Sequence, residues 1–258
     1  MAAKTIARYQ DLEGKSVFIS GGASGIGEDM VRAFHDQGAR VTYLDLDAEA
    51  GARLRQSLAA DGGQAPRFIA GDVTCAQVLK AALDAACDSG GVLDVLVNNA
   101  ANDTRCATPS VSSDDWDRAV AVNLKHQFFA AQMAFPALQA STGGSVINFA
   151  SVAPMLGLRN LAVYSTCKSA VKGLTRALAR EFGDAGVRVN AIIPGSIITP
   201  RQRALWISEE DEQRIQAEQC LHRRLVGADV AQMALFLASD ASSACTSQGF
   251  VVDGGLTG

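Results

Sequence analysis

Seven short β-rich runs alternate with helical stretches along this chain, and that alternation limits what it can fold into more than any other feature. The runs cover residues 15–20, 40–45, 67–70, 93–97, 145–150, 187–193 and 249–253. Helical patterns fill 25–37, 48–60, 75–88, 116–139, 162–182 and 229–239, and Pro136 is expected to kink or end the fourth of them. Strands separated by helices predict an α/β fold, with a mainly parallel, doubly wound sheet of about seven strands and helices on both faces. Nothing marks a domain boundary or an internal repeat. Residues 1–258 therefore read as a single dinucleotide-binding and catalytic domain, with one amphipathic, helical insertion at about 200–224.

In such a sheet, ligands bind beyond the carboxyl ends of the strands, near the point where strand order reverses. The residues at those ends carry chemistry. Gly21-Gly22-Ala-Ser24-Gly25-Ile26-Gly27 joins the first strand to the first helix. Its glycines let the backbone approach a diphosphate, whose charge meets the helix N-terminus. The spacing is G-x-x-x-G-x-G, and the strand–loop–helix context makes it a nucleotide site of Rossmann type. Asp45 ends the second strand, where a carboxylate accepts ribose hydroxyls and repels a 2′-phosphate. NAD is thus preferred, with NADP the poorer alternative. Asp72 and Val73 follow the third strand and suit the adenine; Asn98-Asn99-Ala100-Ala101 ends the fourth and shapes the wall beside the cofactor.

Ser151 stands where the fifth run ends. Tyr164 follows thirteen residues later, and Lys168 four after that, inside a helical pattern. An (i, i+4) spacing puts phenol and ammonium on one face. The positive charge is expected to lower the Tyr164 pKa and make a base. Asn123 sits within a long helix, where Asn competes for backbone hydrogen bonds; a kink or a water site near the pair would account for it.

The remaining composition excludes more than it assigns. A net charge of -4 gives no reason to expect nucleic acid. No run approaches the ~18 apolar residues of a membrane helix, and residues 1–13 lack a signal peptide's apolar stretch. Six cysteines without C-x-x-C pairing and three histidines without ligand spacing make a metal site unexpected; free thiols fit a reducing, cytoplasmic setting.

Taken in order, these residues resemble the short-chain dehydrogenase/reductase family over essentially the whole chain. The matches are Ser20-Gly21-Gly22-Ala-Ser-Gly25-Ile-Gly27, Asp72-Val73, Asn98-Asn99-Ala100, Asn123, Ser151, Tyr164-x-x-x-Lys168 and Pro194-Gly195-Ser-Ile197-Ile-Thr199. Ser20 departs from the usual Thr, and Ala101 from the frequent Gly. The resemblance implies that Tyr164 takes the proton of a substrate hydroxyl. Lys168 would lower its pKa and hold the nicotinamide ribose, Ser151 would bond the reacting oxygen, and Asn123 would hold a relay water. Pro194, Gly195, Ile197 and Thr199 would line the nicotinamide, with Ile197 and Thr199 holding its carboxamide.

Within that family the chain is similar to bacterial NAD-dependent aldose 1-dehydrogenases of the D-xylose, L-arabinose and L-fucose type. The carrying segments include Asn99-Ala-Ala-Asn102-Asp103-x-Arg105, Val122-Asn-Leu-Lys-His126, Thr199-x-Arg201-Gln202 and Gln219-Cys220-Leu221-x-x-Arg224. This implies oxidation of an anomeric hydroxyl to a lactone. Asn102, Asn160, Arg201 and Gln202 join Ser151 and Tyr164 as candidate sugar contacts, with Asp103 and Arg105 nearby at the mouth. A polyol or 3-hydroxyacyl alcohol is the alternative substrate. A non-catalytic NAD sensor would be expected to have lost Tyr164, Lys168 or Ser151. Relatives are commonly tetramers, so a homotetramer is expected.

Overall fold

The computed structural model describes residues 7–60 and 64–258, so part of the 1–13 segment read above for a signal peptide lies outside the described residues. Seven strands form one parallel sheet in the order β3-β2-β1-β4-β5-β6-β7. They are β1 Ser16–Ser20, β2 Arg40–Asp45, β3 Arg67–Ala70, β4 Val95–Asn98, β5 Ser145–Phe149, β6 Arg188–Pro194 and β7 Gly249–Val252. The order reverses between β1 and β4, which pair Ser20 with Asn98 at their carboxyl ends. That end is the crevice where a doubly wound sheet binds ligands.

Alternation along the strands sorts side chains to two faces. Val17 and Ile19 of β1 pack with Met30, Val31 and Phe34 of α1 (Gly25–Asp36) and with Leu54 and Leu58 of α2 (Ala48–Ala60). Phe18, between them, faces the other way. It packs with Leu79 and Leu83 of α3 (Ala76–Ala86) and, through the same cluster, with residues from helices farther along the chain. A central strand buried on both faces has an apolar middle, and S-V-F-I-S is fully buried, with both serine hydroxyls hydrogen-bonded.

The helical pattern expected at 116–139 is three pieces. A capping box, in which Ser112 and Asp115 exchange hydrogen bonds, starts α4 (Ser113–Val120) three residues earlier than the apolar pattern does. A π turn occupies Ala121–Lys125, and α5 (His126–Gln139) continues from it. Pro136 does not end α5, which runs three residues further. Pro136 and Gln132, whose carbonyl loses its helical partner, both lie on the exposed side, so the helix tolerates the loss.

A single helical turn, α6 (Ala153–Leu156), follows β5 and precedes α7 (Ala162–Phe182). The insertion after β6 is two helices rather than one, α8 (Pro200–Leu205) and α9 (Glu209–Glu218), followed by irregular chain to α10 (Gly227–Ala238). Thr199 caps α8 and Ser208 caps α9, which breaks the segment in two. Arg188, nearly buried in β6, donates to the carbonyls of Leu237 and Ser239 at the C-terminus of α10, where a positive charge is favoured. No described helix is long and apolar enough to cross a membrane.

Candidate active site

The glycine loop fits tightly against β4. Gly21 has φ +70°, and a Cβ there would lie 2.8 Å from the Cα of Ala100. A Cβ at Gly27 would lie 1.8 Å from the Gly21 carbonyl oxygen. Asn99 stitches the two ends together: its Nδ2 donates to the Gly21 carbonyl at 2.8 Å and the Ser20 carbonyl at 3.2 Å. The backbone N–H groups of Asn99 and Ala100 both donate to the Ser20 hydroxyl at 3.1 Å. Ser in place of the family's Thr therefore keeps the working oxygen.

Asp45 supports the same loop. Its Oδ2 accepts from the Ala23 N–H at 2.8 Å and its Oδ1 from the Asp47 N–H at 3.0 Å. Each oxygen keeps lone-pair capacity for a ribose hydroxyl. Ser24 precedes α1 and makes no side-chain cap, so the first N–H groups of that helix gain no partner from it. Across the crevice, the Thr199 methyl carbon lies 3.1 Å from where a Gly25 Cβ would sit. Asp72 is exposed and accepts from the Thr74 N–H, with acceptor capacity remaining. Val73 is buried in the second core cluster.

Ile197 is likewise buried in the core and bridges to Leu225, so only its main chain is available to a ligand. Thr199 Oγ1 accepts from the Gln202 N–H at 3.3 Å, which leaves its own O–H free to donate. A helix N-terminus, a glycine cradle and an acceptor carboxylate together fit a dinucleotide.

The reacting groups stand at the end of β5. The Ser151 hydroxyl is near enough to Tyr164 to favour its phenolate, and it accepts from the Ala153 N–H at 3.1 Å. Lys168 is 1% exposed. Its Nζ donates to the Phe149 carbonyl at 2.8 Å and lies 5.7 Å from the Tyr164 ring centre. Two of its three N–H groups remain for other acceptors. Burial pulls the Lys168 pKa down to about 8.

Burial also pushes the Tyr164 phenol up to about 12; the neighbouring Ser151 hydroxyl opposes this, and the Asp103 carboxylate adds to it. The lowered Tyr164 pKa expected from sequence is therefore not the state of this geometry: desolvation is the largest influence, and the Lys168 ammonium does not offset it.

Asn123 is fully buried in the π turn. Its Nδ2 donates to the carbonyls of Asn102 and Ala119, each at 3.0 Å, and its Oδ1 accepts from the Asn102 N–H at 2.9 Å. The side chain thus holds the loop after β4 and keeps one lone pair. Gln127, which no sequence motif singled out, donates to the Phe149 carbonyl that Lys168 also uses.

At the mouth, Arg201 Nη2 donates to Asn102 Oδ1 at 3.2 Å, and Gln202 Nε2 donates to Asp103 Oδ2 at 2.8 Å. Arg105 lies over the Trp206 ring at 5.3 Å. Asn160 is not drawn into this cluster: it is exposed, at φ 62°, and joined to the loop by its carbonyl, which accepts from the Cys106 N–H. Among the described residues, no three His, Cys, Asp or Glu side chains converge as a metal site.

A family model described as enoyl-(acyl carrier protein) reductase matches residues 21–257. The chain belongs to the short-chain dehydrogenase/reductase family, and it is an oxidoreductase acting on CH–OH groups. Dehydrogenases of this family use a nicotinamide dinucleotide. Among its relatives is the protein of Rhizobium meliloti (strain 1021) named "Probable galactose dehydrogenase GalD", 45% identical over 97% of this chain and 98% of that one. The D-xylose 1-dehydrogenase of Caulobacter vibrioides is 41% identical, over 96% and 98%. The aldohexose dehydrogenase of Thermoplasma acidophilum superposes with a TM-score of 0.84, at 29% identity and 96% coverage of each chain.

Proposed function

We propose that the protein oxidises the anomeric hydroxyl of a cyclic aldose such as D-xylose, L-arabinose or a related sugar to the lactone, with NAD as hydride acceptor. The observation that carries this is the polar mouth: Asn102, Asp103, Arg201 and Gln202 hydrogen-bond among themselves over a crevice that holds Ser151 and Tyr164. Carboxylate, amide and guanidinium groups match the hydroxyls of a sugar ring, whereas a steroid or acyl chain needs an apolar lining. The galactose and D-xylose dehydrogenase relatives support the same substrate class.

Tyr164, in its phenolate form, would accept the hydroxyl proton as the C1–O bond becomes a carbonyl, and Ser151 would hold that oxygen in place. Lys168 would use its free N–H groups on the ribose beside the nicotinamide, and Asn123 its remaining lone pair on a relay water. The glycine loop Gly21–Gly27, with Asn99 and Ala100, would hold the diphosphate side. Asp45 would take the adenosine ribose, Asp72 and Val73 the adenine, and Pro194, Gly195, Ile197 and Thr199 the nicotinamide side. The dinucleotide, when bound, supplies the hydride acceptor. Asp45 would repel the 2′-phosphate of NADP, which makes NADP the poorer partner.

Assembly as a homotetramer belongs to the same reading. Trp116, Phe128 and Val251 are large apolar side chains about two-fifths exposed, on α4, α5 and the outer strand β7.

Purified protein is incubated with NAD and a panel of aldoses, polyols and hydroxy acids, and NADH absorbance is followed. One or more aldoses should give the highest kcat/KM, with a lactone as first product by NMR. Turnover of polyols or hydroxy acids, with none of any aldose, overturns the proposal.

A further inference from the structure

Asp103 lies on the loop after β4, and its side chain is 21% exposed. Both of its oxygens are directed at α8. Oδ2 accepts from Gln202 Nε2 at 2.8 Å, and Oδ1 accepts from Arg201 Nη2 at 3.4 Å. Those partners are 99 and 98 residues away in sequence, so this one side chain ties the loop to the insertion. On its other side it acts on the base: its charge helps to hold the Tyr164 phenol up. This carboxylate thus joins the loop after β4 to α8 and lies in electrostatic reach of the reacting hydroxyl.

Charge follows from this arrangement. A guanidinium at the mouth of a crevice is the group best shaped to seize a carboxylate, through two parallel hydrogen bonds. Arg201 is such a group, and its Nη2 already donates to Asn102 and Asp103, with the Asp103 charge beside it. What Asp103 offers to an incoming molecule is its remaining acceptor capacity, which suits hydroxyls, and a negative charge, which opposes anions.

We infer that Asp103 is a specificity-determining residue: by pairing Arg201 and holding Gln202, it makes this site select neutral polyhydroxylated substrates over carboxylate-bearing ones. The inference rests on the sugar-oxidising reading for its choice of substrate.

Two hexose pairs test it, D-galactose with D-galacturonate and D-glucose with D-glucuronate. Each pair shares a ring and an anomeric hydroxyl and differs in a distal carboxylate. In the wild type, kcat/KM should favour the neutral sugar. In Asp103→Asn, the uronate-to-aldose ratio of kcat/KM should rise by about tenfold, the effect of one exchanged charge contact. The Asp103→Asn/Arg201→Gln double variant should lose that rise, because the freed guanidinium is what holds the acid. The acid limb of the pH profile should also move to lower pH in Asp103→Asn, since a negative charge near Tyr164 is gone.

A merely structural Asp103 would depress both sugars alike, and an unchanged ratio overturns the inference. Wild-type enzyme that oxidises no aldose sinks the sugar reading instead. Calorimetry of D-galacturonate binding to the NAD-loaded proteins then decides the inference. Tighter binding to Asp103→Asn than to wild type sustains it, and equal or absent binding ends it.

Discussion

Lys168 is fully enclosed, and enclosure of a cation costs stability. Its pKa falls from an ordinary 10.5 to about 8 through burial. The unfolded chain therefore binds more protons than the folded one between those values, and stability rises with pH across that window. Below about pH 8 the full penalty is present, on the order of 3 kcal/mol. Lys168→Met should accordingly lose turnover yet melt above the wild type near neutral pH, with the gain shrinking as pH approaches about 10. Thermal denaturation at the two pH values checks this. A variant that melts lower at neutral pH would mean that the bond to the Phe149 carbonyl outweighs burial. Tyr164→Phe removes only the oxygen. Turnover should fall by ~10²-fold or more while NAD affinity, read by fluorescence titration, holds within about threefold. The Tyr164–Lys168 spacing was plain in the sequence. The direction of the phenol's pKa was not, because desolvation depends on neighbours from β5 and the loops that no local pattern reveals.

The insertion is held from within by one acid. Glu212 of α9, with a side chain 7% exposed, accepts from Arg203 of α8 at 2.7 Å and also pairs with Arg224. Burial pushes its pKa up, but the two guanidinium partners outweigh that and hold the carboxyl below its usual value. A lowered folded pKa means stabilisation that is present above the unfolded value of about 4.3 and lost as pH falls through the folded one. Residues 200–224 should become open to hydrogen exchange below about pH 4, before the sheet melts, and Glu212→Gln should open them at neutral pH. Protection at 200–224 that persists in Glu212→Gln would refute the assignment. The sequence showed an amphipathic stretch here but not its division into α8 and α9, because the caps Thr199 and Ser208 are ordinary hydroxyl residues within a polar stretch until their bonds to Gln202 and Asp211 are seen. Nor was the π turn visible, except as an Asn in the middle of a helix. It fits there because Asn123 reaches sideways to the loop at Asn102 rather than to its own helix alone.

For the whole molecule, alternation of short apolar runs with helices was enough to anticipate all seven strands and their parallel pairing, since runs buried on both faces leave few other arrangements. Assembly depends on outward faces, where sequence patterns are least specific. The outer strand β7 exposes Gly249 and Val251, and among the described residues no strand pairs with its outer edge. Val251→Asp should therefore dissociate the proposed tetramer, measured by light scattering, while circular dichroism stays unchanged. A variant with the wild-type mass would move the interface elsewhere.

The hydroxyl of Ser20 is held by N–H groups 79 and 80 residues further along the chain. Closing a loop of that length costs about 4 kcal/mol of chain entropy beyond a constant. During synthesis from the N-terminus, the glycine loop emerges long before the strand that shapes it. Until β4 leaves the ribosome, a growing chain carries the nucleotide motif without the wall that makes it a pocket. Affinity for the dinucleotide is thus a late acquisition of the nascent protein, gained when its two sequence-distant halves first meet.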